Sequence, residues 1–309
     1  MWSIARLKRR LILKNKKTIL VSGASGIVGY GILRSLKNQG YNLIGTTIYF
    51  ESVASYFSDV FELAPHTSDG NYIEWLVGII EKYKVDMIIP AIEADLFKWQ
   101  EFREVLESTG SCVLLNDSNL IKLCSDKWLF YKELEKHSSP YVIKSSLEYL
   151  NEDFPLLLKP RRGYASQGIV IVNNRDEVLR YKSEIGNRFI VQPVIGSKEF
   201  EYTTSAFFDK NSNLCAHMTL QRKLSKEGFT EFAQTAQVDG VKEMLVDLAK
   251  IFNPIGPTNF QFRLHNGQIK LLEINPRISS ATSIRVAFGY NESLMSAEYF
   301  LEGKIPCQP

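Results

Sequence analysis

The sequence predicts a doubly wound α/β domain over residues 1–117, followed by a second domain of mixed helices and strands over residues 118–309. Three observations lead to this fold class. The stretch KTILVSGASGIVGYGILRSLKNQGYNLIGTTIYF reads as strand, glycine-rich turn, helix and strand, and the apolar runs VDMIIPAIE and SCVLLND add two strands. From residue 118 the pattern changes to an amphipathic helix and then to strands that carry polar residues. A chain of 309 residues, 45% of them hydrophobic, can bury the cores of two domains.

The charge balance argues against nucleic acid as a partner. The formal net charge is only +3, and part of the basic excess lies in the opening MWSIARLKRRLILKNKK. Its apolar core, LIL, is too short for a signal peptide or membrane span, so we expect a cytoplasmic protein without an integral membrane segment. The basic leader could rest on an acidic or membrane surface, or form a frayed terminus or short docking helix. Four scattered cysteines, without a C-x-x-C pair, indicate reduced thiols.

The first strand is followed by Gly23, Gly26 and Gly29, spaced G-x-x-G-x-x-G at the start of a helix. Backbone amides at such a turn can hold a phosphate, which would make this the dinucleotide site of an NAD(P)-dependent oxidoreductase. The alternative is that small residues let the helix pack closely on a parallel sheet. The sequence favours packing, because Glu51 comes later than a ribose-binding carboxylate should. The opening also resembles the short-chain dehydrogenases, but their Tyr-x-x-x-Lys pattern is absent.

Two acidic residues, Glu93 and Asp95, fall just past the carboxyl end of the strand in VDMIIPAIE. Open α/β sheets bind ligands beyond the carboxyl ends of their strands, so both residues are candidates for contacting a substrate. The alternative is that they are solvated loop charges.

The second domain begins with a helix whose start carries Ser125 and Asp126 as candidate caps and Lys127 in its first turn. The helix dipole disfavours a cation there, which suggests that Lys127 is present to bind a ligand. Lys159 ends an apolar strand, and residues 161–168 form a small glycine-containing loop before the strand GIVIV. Such a loop can close its backbone amides over phosphates while Lys159 reaches in. The alternative is a tight hairpin with a snorkelling lysine.

A buried strand, a linker at residues 192–196 and a second strand come next. On the second strand, one face carries four polar residues, namely Glu199, Glu201, Thr203 and Ser205. An adenine could lie against the linker while a carboxylate of the second strand accepts ribose hydroxyls. The alternative is an antiparallel strand with one solvated face.

The segment PTNFQFRLHNGQIKLLEINPRISS reads as a β-hairpin, and its register decides which side chains share a face. A two-residue type I′ turn at Asn266 and Gly267 would pair residue 261 with 272 and put Gln261 and Glu273 on opposite faces. We expect instead a three-residue loop with Gly267 in the left-handed conformation, which pairs 259 with 273 and 261 with 271. Gln261, Glu273 and Asn275 then line one face.

Two amide oxygens and a carboxylate are hard ligands suited to Mg²⁺. Two Mg²⁺ ions, with Mn²⁺ as the alternative, could bridge a triphosphate while Arg277 steadies the transferred phosphoryl group. The segment TLQRKLSKEGFTEFAQ, residues 219–234, is expected to form a loop that closes over the site. Its basic residues Arg222, Lys223 and Lys226 would face the site or, alternatively, form a solvated face.

Taken in order, these segments resemble the ATP-grasp superfamily, and within it the carbamoyl-phosphate-synthase-like ligases. The resemblance is carried, between about residues 120 and 291, by SDKWLFYKEL, LLLKPRRGYASQGI, VQPVIG, EYTTSAFFD, QRKLSKEG, TNFQF, LEINPRISS and FGYN. It implies a Rossmann-like domain followed by an ATP-grasp fold whose lobes, about 118–188 and 189–309, clasp ATP.

The resemblance also implies roles for individual residues. ATP would be bound by Lys127, Lys159, Gly163, Ser166, Gln167, Gly168, Gln192, Val194 and Glu201, with Glu199 as a substitute for Glu201 at the ribose. Metal would be bound by Gln261, Glu273 and Asn275, the γ-phosphate or intermediate by Arg277 and Arg222, and substrate by Glu93, Ser279 and Ser280. Ser205 replaces a common aspartate and RISS replaces a common Arg-x-Ser-Gly form, so the acceptor pocket is expected to be unusual.

The implied reaction transfers the γ-phosphoryl group of ATP to a carboxylate, after which an amine or similar nucleophile attacks the acyl phosphate. Its substrates would be small molecules, and self-association into a homo-oligomer is compatible with the resemblance. A non-catalytic ATP-binding regulator is the alternative, but all three metal positions carry credible ligands.

Overall fold

The computed structural model describes residues 16–149, 153–163, 167–197, 200–225 and 230–309, so most of the basic leader lies outside the described residues. The chain packs as two units. The first contains the described residues up to Leu115 together with Arg277–Pro309, and the second contains Asn116–Pro276. We expected residues 277–309 in the C-terminal lobe, but they pack with the first unit, because Ile278 and Ala297 lie in its apolar core. The expected boundary between two lobes at about residue 188 stays a prediction.

The first unit is built on a parallel five-stranded sheet, which confirms the expected α/β class. Its strands are β1 (Thr18–Val21), β2 (Asn42–Thr47), β3 (Val60–Leu63), β4 (Met87–Ile89) and β5 (Cys112–Val113), in the spatial order β3-β2-β1-β4-β5. Its helices are α1 (Ile27–Leu36), α2 (Tyr72–Tyr83), α3 (Glu93–Glu101), α4 (Arg103–Glu107) and the C-terminal α9 (Thr282–Ala287) and α10 (Glu292–Glu302), with a 3₁₀ turn at Val53–Tyr56. The strand order reverses between β1 and β4, at the switch point where open α/β sheets bind ligands.

Helix α1 shows why the C-terminal segment packs here. Val28, Ile32 and Leu36 recur at helical spacing and are buried against the sheet. Gly31 lies on another face of α1, and a Cβ built at Gly31 would lie 2.7 Å from Cγ2 of Thr282. Glycine at this position therefore lets α9 approach the backbone of α1 closely.

The second unit combines two antiparallel sheets. The larger has the order β11-β10-β9-β12-β13, formed by β9 (Glu201–Phe208), β10 (Leu214–Leu224), β11 (Thr230–Thr235), β12 (Gly256–His265) and β13 (Gln268–Asn275). The smaller has the order β7-β6-β8, formed by β6 (Leu156–Pro160), β7 (Val170–Val172) and β8 (Phe189–Pro193). The helices are α5 (Ser118–Cys124), α6 (Lys127–Lys136), α7 (Arg175–Leu179) and α8 (Val241–Phe252).

The core of the second unit lies between its helices and the larger sheet. Phe130 of α6, Phe252 of α8 and Phe260 of β12 belong to one apolar cluster. Within the described ranges, no helix has both the length and the apolar character needed to cross a membrane.

Candidate active site

The β12–β13 hairpin turns through two residues rather than three. Asn266 and Gly267 both have positive φ, 51° and 75°, as a type I′ turn requires. His265 pairs with Gln268 across this turn. The expected three-residue loop, with its pairs 259–273 and 261–271, is therefore wrong. The Asn-Gly dipeptide is a strong signal for the two-residue turn, so local turn chemistry determined the loop length.

A β-bulge farther along the hairpin restores the expected shared face. Phe262 pairs with Leu271 but Gln261 pairs with Glu273, so Leu272 is an extra residue on β13. Directly opposed residues of antiparallel strands point to the same face, and residues two apart on a strand do so as well. Gln261, Glu273 and Asn275 thus share one face, although a bulge rather than the turn length produces it.

Asn259, two residues before Gln261, is a further polar residue of this face, and sequence reasoning missed it. It pairs with Asn275, and its Oδ1 accepts a 2.7 Å hydrogen bond from the hydroxyl of Thr203. The alternation of polar residues along β12 was the signal that could have found it. Among the described residues, no three or more His, Cys, Asp or Glu side chains form a group that could hold a metal. A metal at this face would therefore depend on amide oxygens beside Glu273.

The charge state of Glu273 suits a metal ligand. Burial raises the pKa of Glu273, but the ammonium groups of Lys159 and Lys127, a 3.2 Å hydrogen bond from Nδ2 of Asn275 and the Arg222 guanidinium all favour the ionised form. Together they hold the pKa of Glu273 below its ordinary value. The carboxylate is therefore ionised at neutral pH, as metal coordination requires.

The bulge also supplies the anchor for Lys159. The Lys159 ammonium donates a 2.8 Å hydrogen bond to the carbonyl oxygen of Leu272 and a longer one, 3.4 Å, to the hydroxyl of Tyr131. That hydroxyl donates to the same carbonyl oxygen at 2.8 Å. Burial lowers the pKa of Lys159, although the carboxylates of Glu273 and Glu201 oppose the shift. The inserted residue thus fixes a buried ammonium next to the candidate metal ligand.

Tyr131 was not singled out by the sequence, and its hydroxyl can be removed without changing the ring. We expect Tyr131→Phe to weaken binding of a non-hydrolysable ATP analogue, because Lys159 loses a partner, and to lower the free energy of unfolding by about 1 kcal/mol. Titration calorimetry and urea unfolding measure the two effects. Tyr141→Phe is the matched control, because the Tyr141 hydroxyl bonds Asp247 of α8 at 3.2 Å rather than the Leu272 carbonyl oxygen. Unchanged nucleotide affinity in Tyr131→Phe would contradict the role.

The start of α6 is tied to the loop that follows β6. The ammonium of Lys127 donates to the carbonyl oxygen of Gly163 at 2.8 Å. Asp126 caps the helix by accepting from the amide of Trp128 at 2.9 Å, and Nη2 of Arg161 donates to the same carboxylate at 2.7 Å. Of the two candidate caps, Asp126 is therefore the one that serves α6.

The expected phosphate loop lies between β6 and β7, which pair as an antiparallel hairpin. Gly163 and Gly168 have φ of 122° and 74°, conformations that favour glycine. Gln167 is exposed and precedes Gly168 in the same turn. Ser166, the remaining candidate in this loop, lies outside the described residues.

The expected adenine linker begins later than the sequence suggested. Gln192 belongs to β8, is 2% exposed and donates from Nε2 to the hydroxyl of Ser145 at 2.8 Å. Its side chain is therefore committed to the protein interior. Val194, which follows the strand, is half-buried, and its contact with adenine stays a prediction.

Strand β9 is central in the larger sheet and all eight of its residues are buried, so the alternative of a solvated face is wrong. Glu201, its first residue, accepts from Nη2 of Arg222 at 3.0 Å and from Nη2 of Arg263 at 2.8 Å. Sequence reasoning missed Arg263, which gave no signal because a single arginine on a strand is ordinary. Glu199, the alternative ribose ligand, lies outside the described residues.

Within the segment 219–234, residues 219–224 and 230–234 belong to strands rather than to the expected closing loop, and residues 226–229 lie outside the described residues. β10 continues to Leu224 and pairs with β11, and Arg222 lies opposite Ala233. Arg222 is 8% exposed, whereas Lys223 is exposed, because successive residues of a strand point to opposite faces. Nη2 of Arg222 donates to Oε1 of Gln261, so this arginine reaches the face of Glu273. Lys226 lies outside the described residues.

In the first unit, two candidate residues far apart in sequence come together. Glu93 begins α3, four residues after the end of β4, and its Oε1 lies 3.8 Å from Nη2 of Arg277. Nη1 of Arg277 donates to the carbonyl oxygen of Ile278 at 3.1 Å. The pair places a carboxylate and a guanidinium at the carboxyl end of a central strand.

Asp95, by contrast, serves the interior of the first unit. It is 2% exposed and accepts hydrogen bonds of 2.6 Å from Thr67 and 2.8 Å from Tyr72. The indole of Trp99 donates to the Tyr72 hydroxyl at 3.1 Å. Both alternatives raised by the sequence, substrate contact and solvated charge, are wrong for Asp95.

The two serines of RISS differ in their surroundings. Ser279 is 3% exposed, and its hydroxyl accepts hydrogen bonds from Nη1 of Arg285 and from the amide of Ala281 at 3.0 Å. Ser280 is half-buried. In this conformation Ser279 therefore shapes the turn before α9.

The glycines of the turn after β1 are in close contact with neighbouring residues. A Cβ built at Gly23, whose φ is +55°, would lie 2.6 Å from Cγ2 of Ile92, and one at Gly29 would lie 2.5 Å from the Gly23 carbonyl oxygen. The Gly26 amide donates to that same oxygen at 2.9 Å. These contacts favour the interpretation that small residues let helix α1 pack close to the sheet.

Two family descriptions match the sequence. Residues 124–281 match the family described as an ATP-grasp domain, and residues 29–114 match the one described as a PylC-like, N-terminal domain. The large chain of carbamoyl phosphate synthase from Methanothrix thermoacetophila is 25% identical over 299 residues, which cover 86% of this chain and 27% of that protein. The same enzyme chain from Methanothermobacter thermautotrophicus is 26% identical with the same coverage. The chain thus spans about a quarter of the length of these relatives.

Solved structures show the same fold. N5-carboxyaminoimidazole synthetase from Staphylococcus aureus, complexed with ADP, superposes with a TM-score of 0.74 at 18% identity. The match covers 96% of this chain and 80% of the synthetase chain. An L-amino acid ligase from Bacillus licheniformis superposes with a TM-score of 0.70 at 16% identity, covering 95% and 78%.

Proposed function

Because this chain belongs to the ATP-grasp family, we propose that it is an ATP-dependent ligase. It phosphorylates a carboxylate substrate to an acyl phosphate and joins the acyl group to an amine or similar nucleophile, with release of ADP and phosphate. The observation that carries the proposal is the bulge at Leu272, which sets Gln261, Glu273 and Asn275 on one face and anchors Lys159 beside them.

The residues of this face fit a magnesium-bound nucleotide. Glu273 supplies an ionised carboxylate and Gln261 and Asn275 supply amides, a set of hard ligands. Oε1 of Gln261 accepts a hydrogen bond from Arg222, and its second lone pair is left to coordinate a metal. Gln261, Glu273 and Asn275 would hold Mg²⁺, expected as two ions, which would supply positive charge to neutralise the phosphates of ATP.

The side chains of the second unit have distinct tasks in this proposal. Lys159 and Lys127 hold the phosphates of ATP, and Arg222 contacts the γ-phosphate. A carboxylate oxygen of the substrate attacks the γ-phosphorus, and the bond to the bridging oxygen breaks, so that ADP leaves with the electron pair. The amine nitrogen then attacks the carbonyl carbon, phosphate leaves and the nitrogen loses a proton. The protein contributes positioning and charge neutralisation rather than a covalent intermediate.

The first unit is proposed to contribute to substrate binding. Glu93 and Arg277 form a pair of opposite charges, which together can recognise an amine and a carboxylate. Ser280 is the more accessible of the two serines, since the Ser279 hydroxyl is held by Arg285.

A binding experiment tests the nucleotide part of this proposal. We expect the wild type to bind a non-hydrolysable ATP analogue with Mg²⁺ and not to bind NADH. Lys159→Ala should lower the affinity for the analogue by about tenfold to a hundredfold, because a charged hydrogen-bond donor is lost. Lys182→Ala, which removes an exposed lysine from the same unit, is the control. Calorimetric titration measures all three. Binding of NADH alone would overturn the proposal in favour of the glycine-rich turn.

A second experiment separates the ligase from a regulator that only binds ATP. We expect ADP release to rise when a carboxylate and an amine are supplied together, from panels of amino acids, sugar acids and peptides. Removal of Mg²⁺ with EDTA should abolish this release. ATP binding with no stimulation by any pair across the panels would favour the regulator.

A further inference from the structure

The Glu201 carboxylate lies between two arginines, an arrangement that does not suit the ribose contact expected from the sequence. We infer that Glu201 is a positioning residue, which together with Arg263 orients Arg222 toward the γ-phosphate of ATP. The inference rests on the proposed function, because it assigns Glu201 a task in the same nucleotide site.

The acceptor capacity of Glu201 is nearly filled by the protein. An ionised carboxylate offers about four lone-pair sites. Nη2 of Arg222 occupies one on Oε1 at 3.0 Å, and Nε and Nη2 of Arg263 occupy two on Oε2 at 3.1 and 2.8 Å. A ribose diol brings two hydroxyl donors, which is more than the capacity that is left.

Burial makes an exchange of partners unfavourable. Glu201 is 5% exposed and Arg222 is 8% exposed, so water screens their attraction little. Replacing a guanidinium by a neutral ribose hydroxyl would leave a buried cation without its counter-charge, and such a break in a buried ion pair is strongly destabilising. The pair is therefore expected to persist when nucleotide binds.

The sheet order explains how one carboxylate serves two arginines. Strand β9, which carries Glu201, lies between β10 with Arg222 and β12 with Arg263 and Gln261. Arg263 is directly opposite Glu201 in the β9–β12 register. Side chains of adjacent strands on one face lie within contact distance, so the central strand can hold both neighbours.

The Arg222 guanidinium is fixed and still has a donor to offer. Its Nη2 donates both to Glu201 and to Oε1 of Gln261, which sets the plane of the group. Its Nε is buried and has no hydrogen-bond partner among the residues that the structure describes. Buried donors without a partner are rare in folded proteins, and an anionic oxygen of a ligand would satisfy this one.

Binding ratios distinguish positioning from ribose recognition without knowledge of the substrates. The phosphate preference is the affinity for the imido analogue of ATP divided by that for ADP, both with Mg²⁺. The sugar preference is the affinity for ADP divided by that for 2′,3′-dideoxy-ADP. We expect Glu201→Gln and Arg222→Gln each to lower the phosphate preference by about tenfold, as loss of one charged hydrogen bond does, and to leave the sugar preference unchanged. Glu243→Gln, an exposed change on α8, should leave both ratios unchanged.

The opposite pattern would overturn the inference. If Glu201→Gln lost the sugar preference and kept the phosphate preference, Glu201 would be the ribose ligand. An equal loss of affinity for all three nucleotides would indicate a purely structural role for Glu201 and would also overturn the inference. If the wild type bound none of the nucleotides, the proposed function itself would fail, a result distinct from either of these.

Arg263→Gln supplies a second variant in case Glu201→Gln does not fold. It frees Oε2 of Glu201 while the contact with Arg222 is kept. We expect a smaller fall in the phosphate preference and no change in the sugar preference. A gain in the preference for ADP over the dideoxy nucleotide would show that the freed oxygen binds ribose, which contradicts the inference.

Discussion

Glu273→Gln is expected to lower the rate of substrate-stimulated ADP release by about a hundredfold or more, because the carboxylate is the only charged group among the three candidate metal ligands. Glutamine has nearly the same shape, so the bulge and the Lys159 anchor at the Leu272 carbonyl are retained. The Mg²⁺ concentration that gives half-maximal ADP release should rise as well. A coupled assay across a Mg²⁺ titration measures both changes.

The control for this prediction is Glu231→Gln, which makes the same chemical change at an exposed position of β11. Its rate and its Mg²⁺ dependence should match those of the wild type. If Glu273→Gln kept the wild-type Mg²⁺ dependence, the metal would have to bind elsewhere, and the shared face of the hairpin would have only a structural role.

Arg285→Met is expected to lower the free energy of unfolding by about 3–5 kcal/mol, because it leaves a buried carboxylate without its counter-charge. Arg285 and Glu292 are both 0% exposed, and their nearest charged atoms are 3.6 Å apart. Arg285 also donates to the Ser279 hydroxyl, so the turn before α9 loses a contact. Urea unfolding of the full chain measures the change.

Two further variants check the mechanism of that loss. Arg103→Met removes a more exposed arginine, whose distance to Glu107 is 3.8 Å, and should change the free energy of unfolding by no more than about 0.5 kcal/mol. The double change Arg285→Met with Glu292→Met should recover much of the stability, because apolar side chains can replace a buried ion pair. A loss below about 1 kcal/mol in Arg285→Met would contradict the argument.

The fold class and the family were readable from the sequence because they rest on local signals. The glycine-rich turn between strand and helix, the apolar strands and the order of the polar segments all lie within short windows of the chain. The parallel sheet of the first unit and the match to the ATP-grasp family confirm these expectations. Hydrophobic periodicity and turn residues are properties of neighbouring residues, so no knowledge of distant contacts was needed.

The β12–β13 hairpin could be predicted from local signals only in part. The sequence identified Gln261, Glu273 and Asn275 as candidate ligands, but it predicted the wrong turn. A shift of register by one residue moves a side chain to the other face, so the shared face depended on where an extra residue was inserted. That residue is Leu272, an ordinary apolar residue that carries no local signal for a bulge.

The sequence by itself determined the fold class of this protein, its family and the polar residues from which a nucleotide site is proposed. Only the tertiary structure decided the partners of those residues, which pair Glu201 with Arg222 and Arg263 and Lys159 with the Leu272 carbonyl. It also decided that residues 277–309 pack with the first unit. The physical reason is that a buried charge must find its counter-charge or an acceptor in space. In this chain those partners lie on different strands, far away along the sequence.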